Sequence, residues 1–168
     1  MENKKLRFKK IIKIAQPRTG EKILDLGCYE GTIKSYIPFD VDYTGIDIKK
    51  DGKNIIKYDL EKGLPSKIKN KKFDLIFMNE FIEHIENFKT LLLECKKILK
   101  KDGRIIISTP SNNRFIIKEE PTHIHCFRKT NMENLARICG LKITKIIGTY
   151  IRIPILNIYI PTNQTIYT

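Results

Sequence analysis

The stretch EKILDLGCYEGTIKSYI, residues 21–37, passes from a charged pair into an apolar run, breaks at Gly27 and turns helical after Gly31. The run KILDLG, residues 22–27, is short, apolar and rich in branched side chains, so it reads as a strand buried on both faces. Asp25 stands just before two glycines four apart, and glycines at such a turn let a ligand come close to the backbone.

Similar runs recur along the chain. YTGIDI (43–48), NIIKY (54–58), FDLIFM (73–78), RIIIST (104–109) and KITKIIG (142–148) read as strands. Residues 31–37, 80–100 and 130–139 read as helices between them, the middle one with Leu91, Leu92, Cys95, Ile98 and Leu99 on one face. Strands apolar along their whole length suit a parallel sheet covered on both sides, and right-handed crossovers then give a doubly wound α/β fold with flanking helices. The 168 residues fit a single domain, 1–168, with an N-terminal helix over 1–19 that carries Phe8, Ile11, Ile12 and Ala15 at helical spacing. Residues 109–129 form a connection long enough for a lid or substrate wall, and 149–168 a last strand or pocket extension.

In such a sheet ligands sit at the carboxyl ends of the strands, near the switch in strand order. That rule gathers Asp25 and Gly27, Asp47, Asp59, Asn79 with Glu80, and Thr109 with Pro110 at one crevice. A dinucleotide needs G-x-G-x-x-G, which Gly27 and Gly31 do not supply. Carboxylates at successive strand ends suit hydroxyls, an amine and a positive centre better than phosphates.

Composition narrows the partners. The chain is 41% hydrophobic and 30% charged, and 32 Lys+Arg against 19 Asp+Glu give a formal charge of +13. The excess favours anionic partners, yet KKLRFKKIIK, KIKNKK and KKILKK lack the interleaved aromatics of a nucleic-acid stacking platform. Cys28, Cys95, Cys126 and Cys139 form no C-x-x-C pair, and Cys28 reads as a small, inert filler. The basic N-terminus lacks the apolar core of a signal peptide, and IRIPILNIYIP is short and interrupted by Pro154, so no transmembrane segment and a cytoplasmic protein are expected.

Taken in order, ILDLGCYEG, YTGIDI, KYDLEKGLP, FDLIFMNEFIEHI and LLLECKKILKKDGRIIISTP resemble the motifs of the class I S-adenosylmethionine-dependent methyltransferases, over roughly residues 20 to 145. The resemblance implies a Rossmann-like sheet and S-adenosylmethionine as cofactor. It implies that Gly27 and Gly31 admit the methionine part and that Asp25 organises its amino group. Asp47 would accept from the ribose hydroxyls, Asp59 from the adenine amine beside Leu60, and Asn79 would line the same site. Where the family has a further glycine this chain has Tyr29, which must turn outward or close over the cofactor. IKKDGKN is also too short for the usual crossover helix, which leaves the adenine side open.

The motif pattern is most similar to enzymes that methylate quinone precursors, which implies a small or amphiphilic acceptor methylated at oxygen. An RNA methyltransferase is the second reading, on charge; a cofactor-binding accessory protein without catalysis is the third. NEFIEHI also resembles the metal-binding segment of quinone-precursor and small-RNA O-methyltransferases. That likeness implies a Mg2+, Mn2+ or Zn2+ site at Glu80, Glu83 and His84, completed by His125 or His123, with all of the first three on one helical face. Without metal, Glu80 or His84 serves as general base, and Glu80, His84 and His125 form the expected catalytic set. The last segment would act as a pocket wall, or as a strand making a homodimer contact.

Overall fold

The computed structural model of the chain describes residues 4–110, 122–153 and 158–167. The sheet has the order β3-β2-β1-β4-β5-β7-β6. Its strands are β1 (Lys22–Leu26), β2 (Asp42–Asp47), β3 (Ile55–Lys57), β4 (Phe73–Asn79), β5 (Leu99–Pro110), β6 (Ile146–Ile153) and β7 (Ile158–Tyr167). The first five are mutually parallel, and β7 lies antiparallel between β5 and β6.

Central β1 is buried along Ile23–Leu26, and β4 across Leu75–Met78, as the unbroken apolar runs require. Alternation then divides the core. Leu24, Leu26, Ile76 and Met78 face helices α2 (Ser66–Lys69), α3 (Phe88–Ile98) and α4 (Lys129–Ile138). Ile23, Leu75, Phe77 and Ile106 face α1 (Lys4–Ala15) and the turn at Thr32–Tyr36. The α1 stripe expected from Phe8, Ile11, Ile12 and Ala15 packs here, with Ile11 and Ala15 fully buried.

Arg104 fastens this face. Its guanidinium donates to both carboxylate oxygens of Glu21, each at 2.9 Å, and to the Gln16 carbonyl at 2.8 Å, while its Nε donates to the Ala15 carbonyl. One side chain of β5 thereby holds the end of α1 and the approach to β1. Burial would raise the Glu21 pKa, but hydrogen bonds from Arg104 and the Arg18 amide hold it below the usual range.

Several sequence expectations shift. Residues 32–36 wind as a tight 3-10 turn rather than an α-helix. The helix expected over 80–100 starts only at Phe88, preceded by a 3-10 turn at Ile82–His84. Residues 142–145 lie outside any strand, because β6 pairs with β7 only from Ile146 onward. The link from β2 to β3 has no helix and closes through an isolated bridge between Gly52 and Ile55. Of the wall expected over 109–129, residues 111–121 lie outside the described residues. For 149–168 the description is of strand pairing alone. No helix among the described residues is long and apolar enough to cross a membrane.

Candidate active site

The sheet changes direction between β1 and β4, and their carboxyl ends open onto a cleft of about 390 Å3. Gly27, Asp47, Asp59, Leu60, Glu80 and His84 line it, six of the residues singled out in the sequence. Tyr29, Ile48, Tyr58, Glu61, Phe81 and Thr122 complete much of the wall.

The turn after β1 is held by main chain and by one carboxylate. Gly27 and Cys28 both donate to the Ile46 carbonyl, and the Tyr29 amide donates to Asp47 Oδ2 at 2.8 Å. Gly27 has φ +69°, and a β-carbon there would stand 2.3 Å from Cδ2 of Phe81. Tyr29 also takes a left-handed φ of +52°, a conformation that a glycine would hold more easily. Its side chain is 55% exposed, with Lys50 5.9 Å from the ring centroid. Of the two arrangements open to Tyr29, it adopts the outward one and becomes an edge of the cleft.

Asp47 ends β2 with both oxygens occupied by backbone donors, Tyr29 on one and Lys49 at 2.8 Å on the other. A carboxylate has about four lone-pair sites, so two remain for a vicinal diol, and its orientation is already fixed. Asp59 caps the turn at Leu60–Lys62 by accepting from the Glu61 amide at 3.1 Å. Leu60 packs beside it, 5% exposed. Glu61 accepts from the Glu86 amide at 2.8 Å and so ties this edge to the turn after β4.

Three expected cofactor contacts do not line the cleft. Asp25 is buried beneath the turn and accepts from the Tyr43 hydroxyl at 2.7 Å. Burial and the nearby Asp47 charge push its pKa up to about 7, against the pull of the Tyr43 bond. Gly31 leaves room for Tyr43, whose hydroxyl would lie 3.2 Å from a β-carbon there. Asn79 points a buried Oδ1 at no hydrogen-bond partner. Asp25 and Gly31 thus shape the turn from below. Burial, then the charges of Asp25 and Asp47, raises the Cys28 thiol to about 12, consistent with an inert filler.

The segment after β4 differs from the helical face expected for Glu80, Glu83 and His84. Glu80 takes a left-handed φ of +47° and lies 3.8 Å from Arg7 of α1. Glu83 and His84 sit in the following 3-10 turn. Among the described residues, the donor atoms of Glu83, His84 and His123 lie within 4.8 Å of one another. His125 is elsewhere: its ring stands edge-on to Phe88 at 4.7 Å, in a separate hollow with Cys126 and Phe127. The Glu83 carbonyl explains the split, since it accepts from the amides of both Ile124 and His125 and thereby aligns the HIHCF segment. Two successive amides aimed at one carbonyl break regular extended alternation at Ile124, so His123 and His125, two residues apart, need not share a face.

Glu83 is fully buried, and neither carboxylate oxygen has a hydrogen-bond partner. Burial and the charge of Glu80 raise its pKa to about 8. His84 Nδ1 lies 2.8 Å from the Thr122 carbonyl and must donate to it, which leaves Nε2 as the ring's lone-pair nitrogen. A buried carboxylate without donors beside two imidazoles, one with its tautomer set by a carbonyl, is a donor set that fits a divalent cation.

Residues 2–146 match a family model described as a methyltransferase domain. A ubiquinone biosynthesis O-methyltransferase of Pelagibacter ubique is 31% identical over 105 residues, covering 56% of this chain and 44% of that protein. One from Proteus mirabilis is 26% identical over 122 residues, covering 65% and 50%. The chain therefore spans about half the length of these two relatives. A SAM-dependent methyltransferase from Archaeoglobus fulgidus superposes with a TM-score of 0.69 at 17% identity, over 98% of this chain and 94% of that one, a likeness of fold.

Proposed function

The chain belongs to the methyltransferase-domain family, and on that premise we propose that it moves the methyl group of S-adenosylmethionine to an oxygen atom of a small or amphiphilic acceptor. The observation that carries the reading is the fixed Asp47 carboxylate in an open cleft whose far wall ends in Glu80 and His84. The relatives named as ubiquinone biosynthesis O-methyltransferases support oxygen as the acceptor atom.

S-adenosylmethionine supplies an already activated methyl group, so the protein's part is to align it with the acceptor and to receive the acceptor's proton. Gly27 and the Tyr29 edge admit the methionine end, Asp47 holds the ribose diol, and Asp59 with Leu60 receives the adenine. Glu80, beside Arg7, and His84 Nε2 are the groups at the acceptor side able to take a proton. Glu83, His84 and His123 would hold a divalent cation; of the two histidines expected from sequence His123 completes the set, and Glu80 lies outside it. Such an ion, when bound, lowers the pKa of an acceptor hydroxyl. The buried Glu83 carboxylate, 4.0 Å from His123 Nε2, then gains a cation directly beside it.

A second acceptor class is favoured by α1, which exposes Lys4, Lys5, Lys9, Lys10 and Lys13 and reaches the cleft through Arg7. An RNA acceptor would use that face for phosphate contacts. The test is transfer of radiolabelled methyl from S-adenosylmethionine to a catechol panel and to total RNA, each over a salt series. Methylation of catechols that varies little with salt supports the small acceptor. Labelling of RNA alone, with binding that falls steeply with salt, replaces it with the second reading.

A further inference from the structure

Beneath the turn after β1 lies a buried polar pair that does not line the cleft. The Tyr43 hydroxyl donates to Asp25 Oδ2 at 2.7 Å, and the two residues are 4% and 3% exposed. The strand register accounts for the reach. Tyr43 stands beside Ile23 and Gly45 beside Asp25, so the hydroxyl passes two residues along the sheet, about 6.6 Å at strand rise, a span that a tyrosine side chain covers. Two glycines make room for it. A β-carbon at Gly31 would lie 3.2 Å from the hydroxyl, and one at Gly45 would lie 2.5 Å from Sγ of Cys28, whose thiol adjoins the same hydroxyl. Lys34, in the 3-10 turn, is 5.7 Å from the centroid of the Tyr43 ring. The phenol is thus packed where β1, β2 and the turn between them meet.

The pair is chemically one-sided. Burial and the charge of Asp47 favour the neutral Asp25 carboxyl, and the bond from Tyr43 opposes them by favouring the charged form. Burial and the Asp25 charge hold the Tyr43 proton far above the ordinary phenol range, so this hydroxyl stays a donor. A carboxylate with a neutral donor below and a like charge nearby has a cation as its complement. Gly27, two residues after Asp25, presents bare backbone to the cleft. An ammonium group resting there would face the carboxylate across main chain alone, where water screens the attraction least. The amino-acid end of S-adenosylmethionine carries such a group, and an adenosine without that end does not.

We propose that Tyr43 is a positioning residue for the cofactor's amino-acid end: by donating to Asp25 it keeps a charged carboxylate fixed beneath the turn, and so selects ligands with an ammonium group over plain nucleosides. The inference rests on the reading of the cleft as an S-adenosylmethionine site. It also separates two kinds of damage. Asp47 is placed at the ribose and holds the Tyr29 amide of the same turn, so a distorted turn weakens every nucleoside ligand. Loss of the Asp25 charge weakens only those with the ammonium group.

The test compares S-adenosylhomocysteine with methylthioadenosine, which share adenine, ribose and a thioether and differ in the amino-acid end. In calorimetric titration of the full chain, Tyr43→Phe should weaken S-adenosylhomocysteine by about tenfold and methylthioadenosine by less than about twofold. Asp25→Asn removes the charge while keeping an acceptor for the hydroxyl, and should give the same split. Adding Tyr43→Phe to Asp25→Asn should then cost less than about a further twofold in S-adenosylhomocysteine affinity, because the tyrosine acts through that charge. Thermal denaturation shows that each variant is folded. Equal loss of both ligands, unchanged S-adenosylhomocysteine affinity in either single variant, or additive losses in the double variant overturns the proposal and leaves Tyr43 as core packing. A wild-type chain that binds neither ligand is a different result: it removes the cofactor reading itself, and the proposal falls with it.

Discussion

Phe81 lies against the α-carbon of Gly27, with its ring edge 2.3 Å from the place a β-carbon would occupy. Two motifs distant in sequence, one after β1 and one after β4, thus define one wall of the cleft together. Gly27→Ala should cost about 1–3 kcal/mol of stability, since the added methyl meets both a left-handed φ and a packed ring. Thermal denaturation measures the loss, and Phe81→Ala in the same chain should recover part of it by removing the clash.

Asp47→Asn should weaken S-adenosylmethionine binding by about 1.5–3 kcal/mol, because a charged acceptor becomes neutral and its NH2 can no longer accept from one of the two amides, Tyr29 or Lys49, that hold the turn. Isothermal titration of the variant and the wild type measures the difference. Equal affinity for both would remove the ribose role.

Asp25 makes stability depend on pH. Its carboxyl ionises near 7 in the folded chain, above its ordinary 3.8. Between those values the folded state binds the extra proton, so the contribution is full below about pH 4 and is lost as pH rises through 7. Asp25→Asn should flatten that decline by at most about 1.4 kcal/mol per pH unit, as read by urea unfolding at pH 5 and pH 8. Some decline remains, because Glu83, raised to about 8, has the same sign.

The donor set at Glu83 predicts that Mn2+ binds the chain and that Glu83→Gln or His123→Ala weakens it by about tenfold or more. His125→Ala should leave Mn2+ affinity unchanged, since that ring sits in its own hollow against Phe88. Titration calorimetry with Mn2+ reads all three without an acceptor.

The parallel sheet and the cleft were legible because they rest on local patterns: unbroken apolar runs for β1 and β4, and an aspartate at the end of β2. What was not legible depends on contacts between distant residues. The choice of His123 over His125 follows from two amides bonding the Glu83 carbonyl, some forty residues away in sequence. Glu80 left the helical register because the chain leaves β4 through a left-handed φ, bonding its amide to the Ser108 carbonyl. Tyr43, the partner of buried Asp25, gave no signal, since a tyrosine opening a strand is ordinary packing. The missing strand at 142–145 is a matter of pairing: its residues have strand-like composition, but Tyr167 is the last described partner alongside.

The Arg104 clamp has a bearing on the order in which the chain assembles. It joins the end of α1 to a residue 89 positions later, so closing it costs the loop entropy of everything between. During synthesis the first helix can rest on β1, β4 and the turn at Thr32–Tyr36, but its seat is completed only when Ile106 and Arg104 of β5 have left the ribosome, and its apolar stripe at Ile11 and Ala15 stays partly uncovered through that interval. Weakening the clamp, for example by Arg104→Met, lengthens the exposure of that stripe, so its first symptom in cells is loss of yield to chaperones and proteases.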